Sequence, residues 1–411
     1  MMLQINCQGY ASVQFLQPEP ASYACAPVLQ ATTFMQPEQP VYAHHPGRFF
    51  YIKDEHDGSL CSLPFAPIKE NHDAFEYVVE DKSIRWLIRN SGLEISLSVC
   101  LDKKQVVEHW QLSVRNQSRH ARQLSIYPYF PIGYRSWMNQ SATYNKSLHS
   151  IICDSVTPYQ QIADYYAQRE FNEISFLMAE QSPDSWEANQ AQFEGTGGLR
   201  SPCGIRACLL GRGDALYETP CATMQFRREL RPQQSTTLRF AFGAARSQAQ
   251  LKAWRNEFYD QIIVDTARTP ISNYECAIHK QSSPDPGIDN FVNLWLPRQI
   301  QYHNDLHRLS TDPQTRNFLQ DTMGLIFMDA SKARKNLLLA LSQQNQDGSL
   351  PDGILLHAKA KLKYINQVPH TDHAVWLVIA VHSYLRESND MALLNEEVIC
   401  RNHAALKKTV Y

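Results

Sequence analysis

A surplus of basic charge is missing from this sequence: 39 Lys and Arg stand against 41 Asp and Glu, leaving a formal charge of −2 over 411 residues. No broad cationic face is therefore available to neutralise a nucleic-acid backbone. The N-terminus, Met1-Met2-Leu3-Gln4-Ile5-Asn6, lacks the basic region and long apolar run of a secretory signal. The longest apolar run, Ala374 to Leu385, is interrupted by His382 and falls short of the ~20 residues a membrane span needs. The 10 cysteines, scattered from Cys7 to Cys400, contain no CxxC pair and form no short secreted framework. Free thiols, a cytoplasmic location and no membrane or nucleic-acid partner are the expectations. Internal repeats and low-complexity tracts are also missing.

What is present divides into two halves of different period. From about Tyr42 to Ala245 apolar residues recur at every second position, most cleanly in Leu93-Glu-Ile95-Ser-Leu97-Ser-Val99-Cys-Leu101 and in Val107-Glu-His-Trp110-Gln-Leu112-Ser-Val114. That spacing buries one face of a strand. Further strands are expected over Phe75–Val79, Gln123–Tyr129, Ala222–Leu230 and Thr237–Phe242, with turns at Glu55-His-Asp57-Gly58 and Arg231-Pro232-Gln-Gln. Many short strands joined by turns imply an antiparallel sandwich. The aromatic content of 10%, with 7 Trp and 19 Tyr, suits such a core and equally suits stacking on sugar rings.

After Ala245 the period becomes helical. Gln248–Gln261 places Leu251, Trp254, Phe258 and Tyr259 on one side, and a polar, Pro-containing stretch through Pro286 reads as a linker. Ile288–Tyr302, Asn317–Ala330, Ser331–Gln343 and Asp372–Glu387 follow as helices, with Ala333, Leu337, Leu338 and Leu341 as one buried stripe, so the second half is expected to be all-helical. The segment from Gln346 to Gly353 breaks this pattern as a loop, and loops on a helical scaffold often carry binding groups.

Two clusters could carry chemistry. Thr315-Arg316-Asn317-Phe318-Leu319-Gln320-Asp321-Thr322-Met323 puts a guanidinium, an amide and a carboxylate around a helix start. Carboxylates accept two hydroxyl hydrogen bonds and a guanidinium donates several in fixed geometry, so Arg316 and Asp321 could hold adjacent hydroxyls of one pyranose; solvated charges at a helix start are the alternative. The second cluster, Val368-Pro369-His370-Thr371-Asp372-His373-Ala374-Val375-Trp376-Leu377, gathers two histidines and a carboxylate. Its spacing is not the His-x-x-x-His of a helical zinc site, and Asp372 is expected to cap the helix beginning near His373; no metal is assigned. The piece from Phe193 to Leu199, with Gly195, Gly197 and Gly198, lacks both GxGxxG and a following GK[ST] and reads as a turn among strands.

In this order and on this architecture, the clusters resemble glycoside hydrolase family 94, which contains cellobiose, cellobionic acid and chitobiose phosphorylases and the phosphorylase-like domain of cyclic β-1,2-glucan synthases. The resemblance runs through Pro46-Gly47-Arg48 to Asp54, Val107 to Asn116, Asn293-Leu294-Trp295-Leu296-Pro297-Arg298-Gln299, Arg316 to Asp321, and Asp372 to Leu377. It implies a β-sandwich (super-sandwich) over 1–245, a helical linker over 246–287 and part of an (α/α)6 barrel over 288–411. The implied reaction is inverting phosphorolysis of a β-linked glucosyl disaccharide, cellobiose- or cellobionate-like, with inorganic phosphate as co-substrate and no cofactor. Arg316, Gln320, Asp321 and Asp372 are the implied sugar-binding residues, and a homodimer is the implied assembly.

One departure stands out. The family's general acid is an aspartate in a Gly-Asp-Trp-x-Asp-like segment downstream of the Asp372 helix, and no Gly-Asp-Trp occurs here; the near match Gly213-Asp214-Ala215 lies in the sandwich half. The acid is therefore expected beyond Tyr411, in a chain read as C-terminally truncated. The competing readings are a non-catalytic carbohydrate-binding fragment and a metal-dependent hydrolase centred on His370, Asp372 and His373.

Overall fold

The computed structural model describes residues 2–14, 47–80, 83–102, 104–133, 141–154, 174–255, 281–306, 312–345, 347–362, 370–400 and 407–409. They form two compact units, the first holding the described residues up to 255 and the second those from 281 onward.

The first unit is a two-sheet antiparallel sandwich. Nine strands lie in the spatial order Ala215–Leu216, Ser141–Asn145, Ser150–Asp154, Ile174–Ala179, Ser235–Ala245, Val107–Asn116, Leu93–Leu101, Ser83–Asn90 and Ala74–Val79. Five more run in the order Ser185–Asn189, Pro220–Leu230, Arg122–Pro131, Phe49–Asp54 and Leu60–Leu63. The alternation read in Leu93–Leu101 is realised, with Leu93, Ile95, Leu97 and Val99 buried and the residues between them more open. The inner faces meet in an aromatic core: Phe50 of the five-stranded sheet packs on Trp110 and Phe240 of the nine-stranded sheet with ring centroids 5.8 and 5.7 Å apart. Full burial of each such ring is worth about 1.5–3 kcal/mol.

The most deeply enclosed charge pair of this sandwich is Arg48–Glu108. Arg48 and Glu108 are both fully buried, with Nε and Nη2 of Arg48 donating to Oε2 and Oε1 of Glu108 at 2.9 and 2.7 Å. Trp110 Nε1 adds a third donor to Glu108 at 2.7 Å, and the guanidinium sits 4.3 Å from the centre of the Phe242 ring. A bidentate pair with its remaining lone pairs occupied is the geometry in which burial of two charges is tolerated.

One expectation for this half is corrected. The glycine-containing piece is not a turn between strands: Gln190–Glu194 is a short α-helix, capped by the Asn189 side chain, and Gly195–Arg200 continues as a 3-10 helix. Phe193 anchors it, fully buried and stacked on Tyr129 at 5.0 Å. The helix expected from Gln248 is present up to Arg255, with Leu251 and Trp254 in the core beside Val107 and Phe176; Phe258, Tyr259 and most of the expected linker lie outside the described residues.

In the second unit α1 (Pro286–Asn290) starts at a proline that was expected to close the linker: Asp285 caps it, and Pro suits a first helical turn because its missing N–H has no partner to lose. A π turn over Phe291–Trp295 joins it to α2 (Leu296–Leu306). Then come α3 (Thr315–Leu325), α4 (Ala330–Leu341) and α5 (His373–Ser388). The α3 helix stops five residues earlier than its expected end at Ala330, which instead opens α4 under an Asp329 cap. Phe318, Leu319, Ala333, Leu337, Leu377 and Tyr384 share one core. This half is not all-helical, since Glu397–Ile399 pairs antiparallel with Lys407–Thr409. No described helix is long and apolar enough to cross a membrane.

Glu108→Ala leaves Arg48 buried without its counter-charge. It is expected to lower the unfolding free energy by about 3–5 kcal/mol, measured by urea denaturation with tryptophan fluorescence. A loss under about 1 kcal/mol, the size of an ordinary substitution, would show that the pair is not what holds the core together.

Candidate functional site

The two sequence clusters converge at the N-terminal ends of α3 and α5. Neighbouring backbone brings this about: the 347–353 loop runs antiparallel to 312–315, with a bridge between Gln314 and Gly353. Thr315 N–H donates to the Asp352 carbonyl at 2.9 Å, Ile354 N–H donates to the Pro313 carbonyl at 2.9 Å, and the buried Thr315 hydroxyl donates to the Pro351 carbonyl. Glycine at 353 permits this approach, because a Cβ there would lie 2.9 Å from the Asp312 carbonyl oxygen.

Arg316, one residue into α3, reaches across to α5. Its Nη1 donates to Asp372 Oδ2 at 3.0 Å, and Trp376 Nε1 donates to the same oxygen at 3.2 Å. Both charged side chains are a little over one-third exposed, so the pair is accessible to a ligand. Asp372 therefore does not act as a side-chain cap: it occupies the cap position of α5, but its carboxylate makes no capping hydrogen bond and is turned to Arg316 and Trp376.

Asp321 is not the partner of Arg316. Five positions further along α3, it lies about 140° around the helix axis from Arg316; it is half-buried, and its carbonyl accepts from Asn304 at 2.8 Å. Gln320, exposed and four positions after Arg316, lies on the Arg316 face.

Beside this pair is a second group. Asp352 Oδ1 is 3.1 Å from His370 Nδ1 and 3.2 Å from His373 Nε2. His370 Nε2 in turn lies 3.1 Å from the Gln314 amide nitrogen. His373 is almost fully buried, and its Nδ1 is 3.8 Å from Asp372 Oδ1. The histidines and Asp372 were recognisable from their grouping in sequence. Asp352 and Gln314 were not singled out, although the loop that carries Asp352 was.

Burial works against ionisation of Asp372, but the Arg316 and Trp376 hydrogen bonds and the Arg316 charge outweigh it and hold the carboxyl below the usual aspartate range. A depressed carboxyl is ionised above its unfolded pKa, and its ion pair is lost only as pH falls through the lower folded value. At neutral and mildly acidic pH this corner therefore offers a guanidinium with spare donors, an ionised carboxylate and an amide, which together suit a ligand rich in hydroxyls.

A β-sandwich followed by a helical unit is a protein of β plus α multidomain type. Sequence comparison makes the class definite: the glycosyl hydrolase 94 supersandwich domain matches residues 35–261, and the catalytic domain of the glycosyl hydrolase 94 superfamily matches 273–411. The chain belongs to glycosyl hydrolase family 94. It is 46% identical to the cellobionic acid phosphorylase of Neurospora crassa over 98% of its own length and 51% of that protein's. It is 23% identical to the 3-O-β-D-glucopyranosyl-β-D-glucuronide phosphorylase of Paenibacillus borealis, over 85% of this chain and 46% of that one. A third relative, the N,N'-diacetylchitobiose phosphorylase of Vibrio proteolyticus, is 21% identical over 62% of this chain and 32% of its own. The chain spans about half the length of the first two of these relatives.

Arg316→Met removes the donor and the charge that favour the Asp372 carboxylate. The Asp372 carboxyl is expected to titrate at a higher pH than in the unsubstituted chain, moving towards or past the unperturbed aspartate value of ~3.9, as followed by carboxyl-carbon NMR. An unchanged titration would mean that Arg316 does not hold this carboxylate in solution.

Proposed function

We propose that this chain carries the donor-sugar grip of an inverting phosphorylase that cleaves a β-linked glucosyl disaccharide, cellobiose- or cellobionate-like, to α-glucose 1-phosphate and the acceptor. The observation that carries the reading is the accessible Arg316–Asp372 pair, with Gln320 on the same helix face as Arg316. Arg316 and Asp372 hold hydroxyls of the non-reducing glucose in this scheme, Trp376 orients Asp372 through its indole N–H, and Asp321 completes the binding set by family resemblance. The 46% identity to a cellobionic acid phosphorylase supports a glucosyl donor and an aldonate-type acceptor.

Inversion by phosphate needs less of the protein than inversion by water. An inverting hydrolase uses one carboxylate to activate water and one carboxylic acid to protonate the leaving oxygen. Phosphate is already an anionic nucleophile, so only the acid is required, and such a proton transfer is worth about 10²–10⁴ in rate. No Gly-Asp-Trp segment occurs among these 411 residues. The acid is proposed to come from protein outside them, and the chain alone is expected to bind sugar without turning it over.

The test pairs binding with turnover. Calorimetric titration of the 411-residue chain with cellobionic acid or cellobiose should show saturable binding that weakens about 10- to 100-fold in Arg316→Met and Asp372→Asn, the loss typical of a charge-assisted hydrogen bond. Incubation with the same disaccharides and inorganic phosphate should release no glucose 1-phosphate. Release of glucose 1-phosphate would place the acid within this chain, and binding untouched by both substitutions would remove the grip from this corner.

A further inference from the structure

We propose that Asp352, His370 and His373 form a binding site for a divalent transition metal, for which Zn(II) is the best-suited ion. Each residue offers one ligand atom, Oδ1, Nδ1 and Nε2 respectively, and the three atoms lie within 4.8 Å of one another. An ion needs about 2.0–2.2 Å to each imidazole nitrogen and carboxylate oxygen, so it fits such a triangle with small side-chain adjustments. Two imidazoles, one carboxylate and a water complete a tetrahedral shell. Neutral nitrogen and carboxylate ligands favour Zn(II) and its transition-metal neighbours over Ca(II) or Mg(II), which prefer all-oxygen shells.

The outer nitrogens of the two rings supply an independent observation. A metal-bound imidazole coordinates through one nitrogen and donates its other N–H to an acceptor that fixes the ring. His370 has the Gln314 amide nitrogen 3.1 Å from its outer nitrogen, Nε2; with a proton on Nε2 the amide makes a half-turn and presents its oxygen as the acceptor. His373 is 2% exposed, and its outer nitrogen, Nδ1, has no hydrogen-bond partner among the described residues, although the Asp372 carboxylate lies 3.8 Å away. With no ion bound, a neutral His373 that donates through Nε2 to Asp352 leaves a buried lone pair on Nδ1 facing a carboxylate, an unfavourable arrangement. Coordination through Nε2 places the proton on Nδ1, where it becomes a donor aimed at Asp372. The ion thus gives this nitrogen a proton to present to Asp372 while the ring itself stays neutral.

The site's position gives it a structural task. Asp352 belongs to the loop held against the start of α3, and His370 and His373 flank the start of α5. An ion bridging them pins the two helix ends from which Arg316 and Asp372 project, and no step of sugar chemistry passes through it. The inference does not depend on the carbohydrate reading, because the site can fill whether or not a sugar binds.

The experiment uses the whole 411-residue chain, stripped with a chelator, reloaded with Zn(II), freed of unbound ion by gel filtration and assayed by elemental mass spectrometry. About one Zn(II) per chain is expected, together with the d–d absorption of a nitrogen–oxygen site on loading with Co(II). Competition against a chromophoric chelator should show affinity falling by more than about 100-fold in Asp352→Asn, His370→Gln or His373→Gln, and by about 10- to 100-fold in the outer-partner variant Gln314→Ala. Failure of the unsubstituted chain to retain the ion overturns the proposal, whatever the variants do. Retention that survives all three ligand substitutions also overturns it, because the ion then sits elsewhere among the chain's 15 histidines.

Discussion

The helical unit depends on the way residue 352 is held on both sides. Its backbone carbonyl accepts from Thr315 at the first turn of α3, and its carboxylate lies between His370 and His373 at the start of α5. A single loop residue therefore sets the register between two helix ends that are 56 residues apart at Arg316 and Asp372. Together with the apolar core that α3 and α5 share, it places the two charges within hydrogen-bond reach of each other.

The sandwich solves a different problem. Its interior is built from aromatic rings that give large, non-directional stabilisation, and the Arg48–Glu108 ion pair is set among them. Arg48 and Glu108 are fully enclosed, so their mutual orientation is dictated by the strands that carry them and by Trp110. The Arg316–Asp372 pair has the same chemistry but is over one-third exposed. Burial makes the first pair a structural element, and exposure leaves the second with donors and acceptors free to meet a ligand.

Much of the fold was legible in the sequence because its signals are local. Alternation over Leu93–Leu101 and helical spacing through Ala333, Leu337 and Leu341 follow from which face of an element is buried. Where local signals fail, a tertiary contact decides. Gly195, Gly197 and Gly198 read as a turn, yet burial of Phe193 against Tyr129 draws the segment into helical turns on the sandwich. The hairpin of Glu397–Ile399 with Lys407–Thr409 escaped a helical reading because three-residue strands carry almost no periodicity.

By itself the sequence determined the change from strand to helix period, the grouping of polar residues at two helix starts, and the family to which their order along the chain points. Only the tertiary structure decided how those residues combine. Arg316 and Asp321 are close in sequence, but the 3.6-residue helical repeat turns Asp321 away from the Arg316 face. Asp372 seemed destined to cap its own helix, yet the packing of α3 against α5 offers its carboxylate a guanidinium and an indole N–H instead. Asp352 and Gln314 had no local pattern to mark them, because their partners are set by chain segments 18 or more residues away. Periodicity records which face a residue occupies; which charge it meets there depends on contacts that only the folded chain creates.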